Sequence, residues 1–318
     1  MSNRDLLVEI GTEELPPKAL RSLSEHFQKA IESGLAKQNL PCASTTPFAS
    51  PRRLAVIVKT LPEKQDASAV EKYGPALKAA FDSDGKPTKA AEGFARSCGV
   101  TVAELQEKDD GKVAKLFYSE TKAGLNTTEL LPDIINAALA SLPIPRRMRW
   151  GASRDEFVRP VHWAVILFGE EIVPATILGV EASNTTRGHR FHHPQSIELK
   201  DPSEYESTLE KTAYVIPSFP ARKEKIRELI LAQAKTANAS VIIDEDLLEE
   251  VTALVEWPVG LTGTFDKAFL SVPKEALVSS MKKHQKCFTL EDASGNIHPG
   301  FIAISNLESS DPAIHNKF

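Results

Sequence analysis

The chain has 318 residues, of which 42% are hydrophobic and 25% charged, values typical of soluble globular proteins and sufficient for two domains. Its longest apolar run, residues 161–169, contains His162 and is far shorter than the roughly 20 residues of a membrane-spanning helix, so we expect no membrane segment. The formal net charge of −5 excludes binding of polyanions over the whole surface, so any RNA contact must come from a local basic patch.

The three cysteines, Cys42, Cys98 and Cys287, lie far apart and form no C-x-x-C pair. Scattered thiols of this kind are typical of a reducing compartment and argue against a thiolate zinc site. We therefore predict free thiols, no bound metal and a cytoplasmic protein.

Residues 1–61 are predicted to form a strand, a helix and two further strands, which we interpret as the N-terminal α/β part of the body. The run 6–10 is apolar except for Glu9 and indicates a buried strand. The helix is predicted at residues 18–39. Pro16 and Pro17 mark its first turn, and apolar residues repeat along it at helical spacing. The strands that follow are predicted at 48–50 and 54–61.

Residues 62–142 are rich in alanine and lysine, and we interpret them as a mostly helical insertion or small subdomain. Thr88 is predicted to cap a helix that ends before Gly99. A strand is predicted at 113–118 and a second helix from about residue 127. The alternative is that this segment simply continues the first layer of the fold.

Residues 143–318 mix strands and helices without strict alternation, so the predicted fold class is α+β, with mixed or antiparallel sheets and packed helices. The elements predicted in this domain are strands at 163–168 and 172–178, helices at 221–237 and from Asp244, and a hairpin of 286–290 with 297–304.

The most basic stretch, residues 145–154, supplies Arg147, Arg149 and Trp150 as candidates for contact with RNA or with a partner protein. The planar fork of arginine donates two hydrogen bonds to a phosphate, and a neighbouring tryptophan can stack on a base. The open alternative is an arginine-rich edge that pairs with the carboxylates of the chain itself, with Trp150 buried.

Two other stretches supply candidates for the same contacts. Arg187, His189 and Arg190 flank Gly188, which lets the backbone approach a ligand closely; the sequence around them predicts a loop, so we disfavour a metal site. Lys282 and Lys283 are expected near a helix end, where the helix dipole alone explains lysines.

Glu9, Glu13 and Glu14 are the most prominent acids of the N-terminal stretch. Paired carboxylates can perform acid–base chemistry, but a strand end followed by a helix start is also where structure alone places acids, so we interpret them as a structural motif. No catalytic residue is assigned. The sequence contains no glycine-rich phosphate-binding loop, and we predict no ATP site within the chain.

The stretch 6–20, LLVEIGTEELPPKAL, also resembles the N-terminus of the β subunit of bacterial two-subunit glycyl-tRNA synthetases. The likeness continues in order along essentially the whole chain, and Arg52 and Arg53 join the contact candidates from its second motif. The further matching motifs are Pro51-Arg52-Arg53-Leu54-Ala55, Gly74-Pro75-Ala76, Lys89-Ala90-Ala91-Glu92-Gly93-Phe94, Met148-Arg149-Trp150-Gly151, Phe157-Val158-Arg159-Pro160-Val161-His162, Arg187-Gly188-His189-Arg190-Phe191, Val255-Glu256-Trp257-Pro258 and Pro273-Lys274-Glu275-Ala276-Leu277.

The resemblance implies a part of an enzyme that joins glycine to tRNA(Gly) with ATP in an α2β2 assembly. The α subunit would bind ATP and Mg and perform the chemistry, while this chain would supply assembly and tRNA contact with no cofactor of its own. Because β subunits of this family are much longer, the chain is expected to be an N-terminal fragment that lacks the HD-type and anticodon-binding regions.

The resemblance further implies that residues 143–318 are similar to the B3/B4 module of the phenylalanyl-tRNA synthetase β subunit. Two alternatives to the main interpretation stay open. One is a hydrolytic editing module that acts on mischarged tRNA, because the B3/B4 module houses editing in that enzyme, although a shared fold does not imply a shared activity. The other is an assembly domain that never contacts RNA.

Overall fold

The structure is a computed structural model that describes residues 2–109 and 113–308. Its helices, in chain order, are α1 (Pro17–Lys37), α2 (Leu77–Ala80), α3 (Lys89–Cys98), α4 (Thr127–Ala140), α5 (Tyr205–Lys211), α6 (Phe219–Thr236), α7 (Glu245–Thr252) and α8 (Lys274–Ser280). Short 3-10 turns lie at Val102–Glu104, Pro202–Glu204 and Lys267–Ser271, and a π-helical turn lies at Met281–Gln285.

The strands are mostly short and mostly antiparallel, which confirms the α+β class. In chain order they are β1 (Asn3–Thr12), β2 (Ser44–Ser50), β3 (Arg53–Pro62), β4 (Ser68–Ala76), β5 (Gln106–Asp109), β6 (Ala114–Lys122), β7 (Met148–Arg149), β8 (Glu156–Phe157), β9 (Val161–Phe168), β10 (Glu171–Ile172), β11 (Thr176–Ile177), β12 (Val180–Ser183), β13 (Thr185–Arg187), β14 (Ser196–Glu198), β15 (Ser240–Val241), β16 (Val259–Thr264), β17 (Phe288–Glu291) and β18 (Ile297–Ser305).

The chain divides into two compact units, the first formed by residues up to 63 and from 127 onward, the second by residues 64–126. The first unit is built on a sheet of order β11-β12-β9-β1-β3-β2, with β10 paired to β9. The strand β1 lies between β3 and β9 and pairs antiparallel with both. The N-terminal stretch is therefore the centre of the sheet.

Successive side chains of β1 point to opposite faces of this sheet, because a strand alternates with period two. Leu6, Val8 and Ile10 enter an apolar core that also contains buried residues of α1 and α4. Leu7 enters a second core, on the face covered by α5 and the chain that follows it. Glu9 and Gly11 share that second face.

A smaller sheet in the same unit has the order β15-β17-β18-β16. One face of it packs against α6 and α7, where Ile226, Leu248 and Val251 of the helices meet Phe288 and Ile302 of the strands. The helix predicted from Asp244 is α7, and the Asp244 side chain caps it by accepting a hydrogen bond from the N–H of Leu247 at 2.9 Å. Thr88, predicted to cap a helix, lies at the N-cap position of α3, but its hydroxyl donates to the carbonyl of Ala79 at 2.7 Å and makes no cap bond.

The second unit contains a sheet of order β4-β6-β5 beside α2 and α3, so it is not mostly helical as predicted. The helix predicted from residue 127 is α4, which belongs to the first unit. The prediction was wrong because these small-sheet strands are largely exposed and carry lysine and glutamate, such as Glu71 and Lys72, which read as helix formers. The helix α3 ends as predicted, with Gly99 in the left-handed conformation at φ 74°.

Within residues 2–109 and 113–308, no helix combines the length and the apolar character that crossing a membrane requires.

Candidate functional site

Glu9 is fully buried at the centre of the main sheet, yet its carboxylate is surrounded by donors. Thr186 Oγ1 donates to Glu9 Oε1 at 2.6 Å, and the Tyr205 hydroxyl donates to Oε2 at 2.5 Å. The indole N–H of Trp163 also donates to Oε1. A buried carboxylate is tolerated only when it is hydrogen-bonded and paired, and this one has both kinds of partner.

The cation that pairs with Glu9 is Arg53, which is also fully buried. Its Nη1 lies 3.6 Å from Glu9 Oε2, and its Nη2 lies 3.4 Å from Glu256 Oε1. Nε donates to Ser50 Oγ at 2.9 Å and Nη2 donates to the carbonyl of Arg187 at 2.9 Å. Burial opposes the charge of Arg53, but the carboxylates of Glu256 and Glu9 outweigh it and raise the pKa of the guanidinium above its ordinary value.

Glu256 completes this buried network from the far end of the sequence. Only 2% of the residue is exposed, and its Oε1 accepts a hydrogen bond from Ser50 Oγ at 2.8 Å. The backbone N–H groups of Glu256 and Trp257 donate to Asn306 Oδ1 at 2.7 and 3.1 Å. The network thus connects β1 and the turn before β3 with the segments around residues 256 and 306.

A second buried arginine, Arg222 of α6, forms hydrogen bonds with three separate backbone segments. It donates to the carbonyls of Ala49 at 2.8 Å, Ile216 at 2.5 Å and Thr252 at 3.0 Å. Burial lowers the pKa of Arg222 to about 9, so the side chain is still protonated at neutral pH. This arginine satisfies carbonyl groups that would otherwise be buried without a donor.

The ring of Trp163 lies directly over Gly11, its cross-strand partner in β1. A Cβ atom on Gly11 would lie 1.8 Å from Cε2 of that ring, so the position requires glycine. The guanidinium carbons of Arg52, Arg53 and Arg187 lie 5.7, 5.8 and 5.3 Å from the ring centroid. Three arginine side chains therefore make cation–π contacts with the one indole ring of Trp163.

The end of β1 forms a partly exposed rim of charged side chains. Glu13 accepts from Arg190 Nη2 at 2.8 Å and is 3.0 Å from His162 Nε2. The Arg190 hydrogen bond holds the pKa of Glu13 below its usual value. On the same stretch, the backbone carbonyl of Glu14 accepts from Arg159 Nε at 3.0 Å.

Arg52 lies between this rim and the buried network, with 9% of the residue exposed. Its backbone carbonyl accepts from Thr12 N at 2.8 Å, and the carbonyl of Pro51 accepts from Leu15 N at 2.7 Å. These bonds fix the turn, but the buried Nε and Nη1 of Arg52 have no acceptor. Burial lowers the pKa of Arg52 below its ordinary value.

His189 is buried behind the same loop and acts there as a hydrogen-bond acceptor. Its Nδ1 accepts from the backbone N–H of Phe191 at 3.3 Å and of His192 at 3.2 Å. Burial lowers the pKa of His189, so the ring is neutral at physiological pH. In the part of the chain that the structure describes, no three His, Cys, Asp or Glu side chains are grouped so as to hold a metal ion.

Residues 6–316 match the family model described as the glycyl-tRNA synthetase beta subunit. The chain belongs to this family.

Members of the family with curated names are close relatives over nearly the whole chain. The chain is 53% identical over 312 residues to the glycine–tRNA ligase beta subunit of Hahella chejuensis, a match that covers 98% of the chain and 45% of the relative. It is 54% identical over 312 residues to the protein of that name from Chromohalobacter salexigens, with 98% and 45% covered. The chain therefore spans less than half the length of these relatives.

Several motifs that carry the family likeness meet in the buried network. Glu9, Arg53 and Glu256 come from three of them, and a fourth supplies the Arg187 carbonyl and His189. Arg53 was predicted to contact RNA or a partner, but its complete burial excludes that role in this fold. His189 is only 1% exposed and is excluded for the same reason.

The other predicted contact residues do not join this cluster. Arg147 Nη2 donates to the carbonyl of Ala140 at 2.8 Å, and Arg149 Nε pairs with Glu156 Oε1 at 2.6 Å on the β7–β8 hairpin. Trp150 is partly buried and packs on the apolar core of the first unit.

The lysines predicted near a helix end lie in the π-helical turn after α8. Lys282 forms an ion pair with Asp244, the cap of α7, and Lys283 is exposed. The pairing of Arg149 with Glu156 is the alternative left open for the stretch 145–154, in which its arginines pair with carboxylates of the chain itself.

Some residues of the buried network, of the rim and of the Arg222 contacts were not predicted from the sequence. They are Ser50, His162, Trp163, Thr186, Tyr205, Arg222 and Glu256. One signal was available, because Glu256, like Glu9, is a lone acid within a short apolar segment and such an acid needs a buried partner. Nothing local distinguishes Thr186 or Tyr205 from other polar residues.

Proposed function

We propose that this chain is the N-terminal part of a glycyl-tRNA synthetase β subunit and supports the ATP-dependent ligation of glycine to tRNA(Gly). The observation that carries the proposal is the family match over residues 6–316, together with relatives at 53% and 54% identity that bear the name glycine–tRNA ligase beta subunit. The chain would act as a positioning body for chemistry performed on another subunit.

In this proposal the partner is a catalytic α subunit in an α2β2 assembly located in the cytoplasm. ATP and Mg would bind to the α subunit, and tRNA(Gly) would contact exposed cations of the β subunit. The fixed rim at the end of β1 supports this role, because Arg159 and Arg190 are held there by hydrogen bonds at 3.0 and 2.8 Å. Prepositioned cations bind phosphates with a smaller entropic cost.

We further propose that residues 143–318 are related in fold to the B3/B4 module of the phenylalanyl-tRNA synthetase β subunit, with residues 1–61 as the α/β part of the body. The small sheet β15-β17-β18-β16, covered by α6 and α7, is the feature that supports an α+β module here. Kinship of fold assigns no editing activity to it.

The proposal is tested with a chimera in which this chain replaces the matching part of the Hahella chejuensis relative. The chimera should glycylate tRNA(Gly) when the α subunit is added. The 318-residue chain alone should show no glycine-dependent exchange of pyrophosphate into ATP. Exchange by the chain alone, or a chimera that binds the α subunit and still fails to support glycylation, would contradict the proposal.

A further inference from the structure

Arg52 is an unusual arginine, because it is nine-tenths buried and lacks the partners that buried arginines have elsewhere in the molecule. Arg53 and Arg222 each donate to three acceptors, whereas Nε and Nη1 of Arg52 have none. A buried charged donor without an acceptor is unfavourable, so a fold that retains one gains when an anion arrives.

We propose that Arg52, together with Arg187, binds phosphate groups of an RNA backbone. This inference rests on the tRNA contact in the proposed function and names the residues that make it. Arg187 is exposed at the end of β13, and its guanidinium lies 5.3 Å from the same Trp163 ring that Arg52 approaches at 5.7 Å. Both cations are thus gathered on one indole ring.

Both residues are held in position through their backbones; Arg187 is exposed, and Nε and Nη1 of Arg52 are buried without an acceptor. The carbonyl of Arg187 accepts from Arg53 Nη2 at 2.9 Å, and the carbonyl of Arg52 accepts from Thr12 N at 2.8 Å. Trp163 is itself anchored on Gly11 and on the Glu9 carboxylate. A ligand would therefore meet cations that are already placed.

The carboxylates nearby are already paired, so the positive charge of Arg52 and Arg187 is not neutralised. Glu9 and Glu256 form ion pairs with Arg53, and Glu13 pairs with Arg190 at 2.8 Å. Among the described residues, no carboxylate lies within ion-pair distance of Arg52 or Arg187. The local surplus of charge is positive although the whole chain carries −5.

A phosphate backbone fits this surface better than a single carboxylate from a protein partner. The neighbouring rim adds Arg159 and Arg190, so cations continue beyond Arg52 and Arg187. A row of phosphodiesters can use such a row of donors, and the arginine fork matches two phosphate oxygens at once. A single carboxylate has too few oxygens to accept hydrogen bonds from most of these donors.

The first experiment measures how tRNA binding by the 318-residue chain depends on salt. Arg52→Gln and Arg187→Gln are compared with Arg96→Gln, an exposed arginine of the second unit. Each of the first two variants should flatten the slope of log affinity against log salt by about 0.7 to 0.9, the change expected for one lost phosphate contact. The control should leave the slope unchanged. Arg187→Gln changes an exposed side chain, so it remains informative if Arg52→Gln folds poorly.

A second experiment does not require RNA, so the failure of this site and the failure of the proposed function can be told apart. Relative to chloride at equal ionic strength, inorganic phosphate should raise the Tm of the wild-type chain more than the Tm of Arg52→Gln, because the general stabilisation by phosphate is common to both proteins. If tRNA fails to bind but this difference is found, the proposed function fails and the phosphate site stands.

Two outcomes would overturn the site. One is that neither variant changes the tRNA salt slope or the phosphate effect on Tm. The other is that both variants keep the slope but lose binding to the catalytic α subunit, which would make Arg52 and Arg187 a pocket for a protein carboxylate.

Discussion

On one face of the central sheet, Leu6, Val8 and Ile10 of β1 pack among apolar residues of α1 and α4. On the other face Leu7 is followed by Glu9 and Gly11, and the residues opposite Gly11 are Arg53 and Trp163. Both faces are buried. The first is stabilised by close packing of apolar side chains, and the second by ion pairs and hydrogen bonds.

The difference shows how one strand can stabilise a fold and also prepare a surface. An apolar face tolerates exchange among residues of similar volume. A buried charge network does not, because removing one member leaves another unpaired. The network also holds Trp163 and the backbone of Arg187, so it positions the ring on which the cations of Arg52 and Arg187 lie.

The largest effect should follow from breaking the charged face. Arg53→Met leaves Glu9 and Glu256 buried without their common cation, and we expect the free energy of unfolding to fall by about 3 to 5 kcal/mol. Urea unfolding followed by circular dichroism measures this. A loss below about 1 kcal/mol would mean that the pairings at 3.6 and 3.4 Å contribute little.

The apolar face should respond by a cavity mechanism instead. Leu20→Ala in α1 removes a side chain that is 0% exposed, and we expect a loss of roughly 2 to 5 kcal/mol. Because Leu20 and Arg53 lie on opposite faces and share no partner, their effects should add to within about 0.5 kcal/mol in the double variant. Strong coupling between them would contradict the separation of the two faces.

A smaller effect is expected where the charged face depends on close packing. Gly11→Ala should cost about 1 to 3 kcal/mol, because the new Cβ would lie 1.8 Å from the Trp163 ring. The matched control is Gly93→Ala in α3, where nothing lies within 4 Å of an added Cβ. The control should gain about 0.5 to 1 kcal/mol. Differential scanning calorimetry reports both changes, and equal effects of the two substitutions would contradict the requirement for glycine at position 11.

The smallest effect concerns pH and should be confined to the charged face. Burial places the folded-state pKa of His189 below its ordinary value, so the unfolded chain takes up a proton first. The contribution of His189 to stability is complete above the unfolded pKa and is lost as pH falls through the folded pKa. The loss is at most about 1.4 kcal/mol for each pH unit in that window.

His189→Asn is the matched variant, since its amide oxygen can accept the hydrogen bonds that Nδ1 now accepts but does not titrate. Stability of this variant should vary less between pH 7 and pH 5 than stability of the wild type. Identical pH profiles would show that His189 is not a source of acid sensitivity.

The order of elements at the N-terminus was predictable because the pattern there is local. The apolar run 6–10 became part of β1, the helical spacing of 18–39 corresponds to α1, and Pro51 marks the turn between β2 and β3. The charged stretches were recognisable in the sequence, but what each of them contacts was not. Nothing in the spacing of Glu9, Arg53 and Glu256 reveals that residues separated by 203 positions pair in the core.

Other features escaped prediction because tertiary context decides them. The strands β4 and β5 carry residues that favour helices, and only their pairing with β6, the strand predicted at 113–118, makes a sheet. Arg52 and Arg53 are adjacent and chemically identical, yet one has two unpaired nitrogens at the rim of the site and the other is the centre of the network. Sequence alone gave both the same role.

A double-mutant cycle on Arg53 and Glu256 tests most directly whether one buried network organises this site. The free energies of unfolding of Arg53→Met, Glu256→Gln and the double variant are compared with that of the wild type. We predict a coupling energy of about 1 to 3 kcal/mol, because each single change leaves its partner buried and unpaired. A coupling energy of zero would contradict the account, since the two side chains would then be neighbours without interacting.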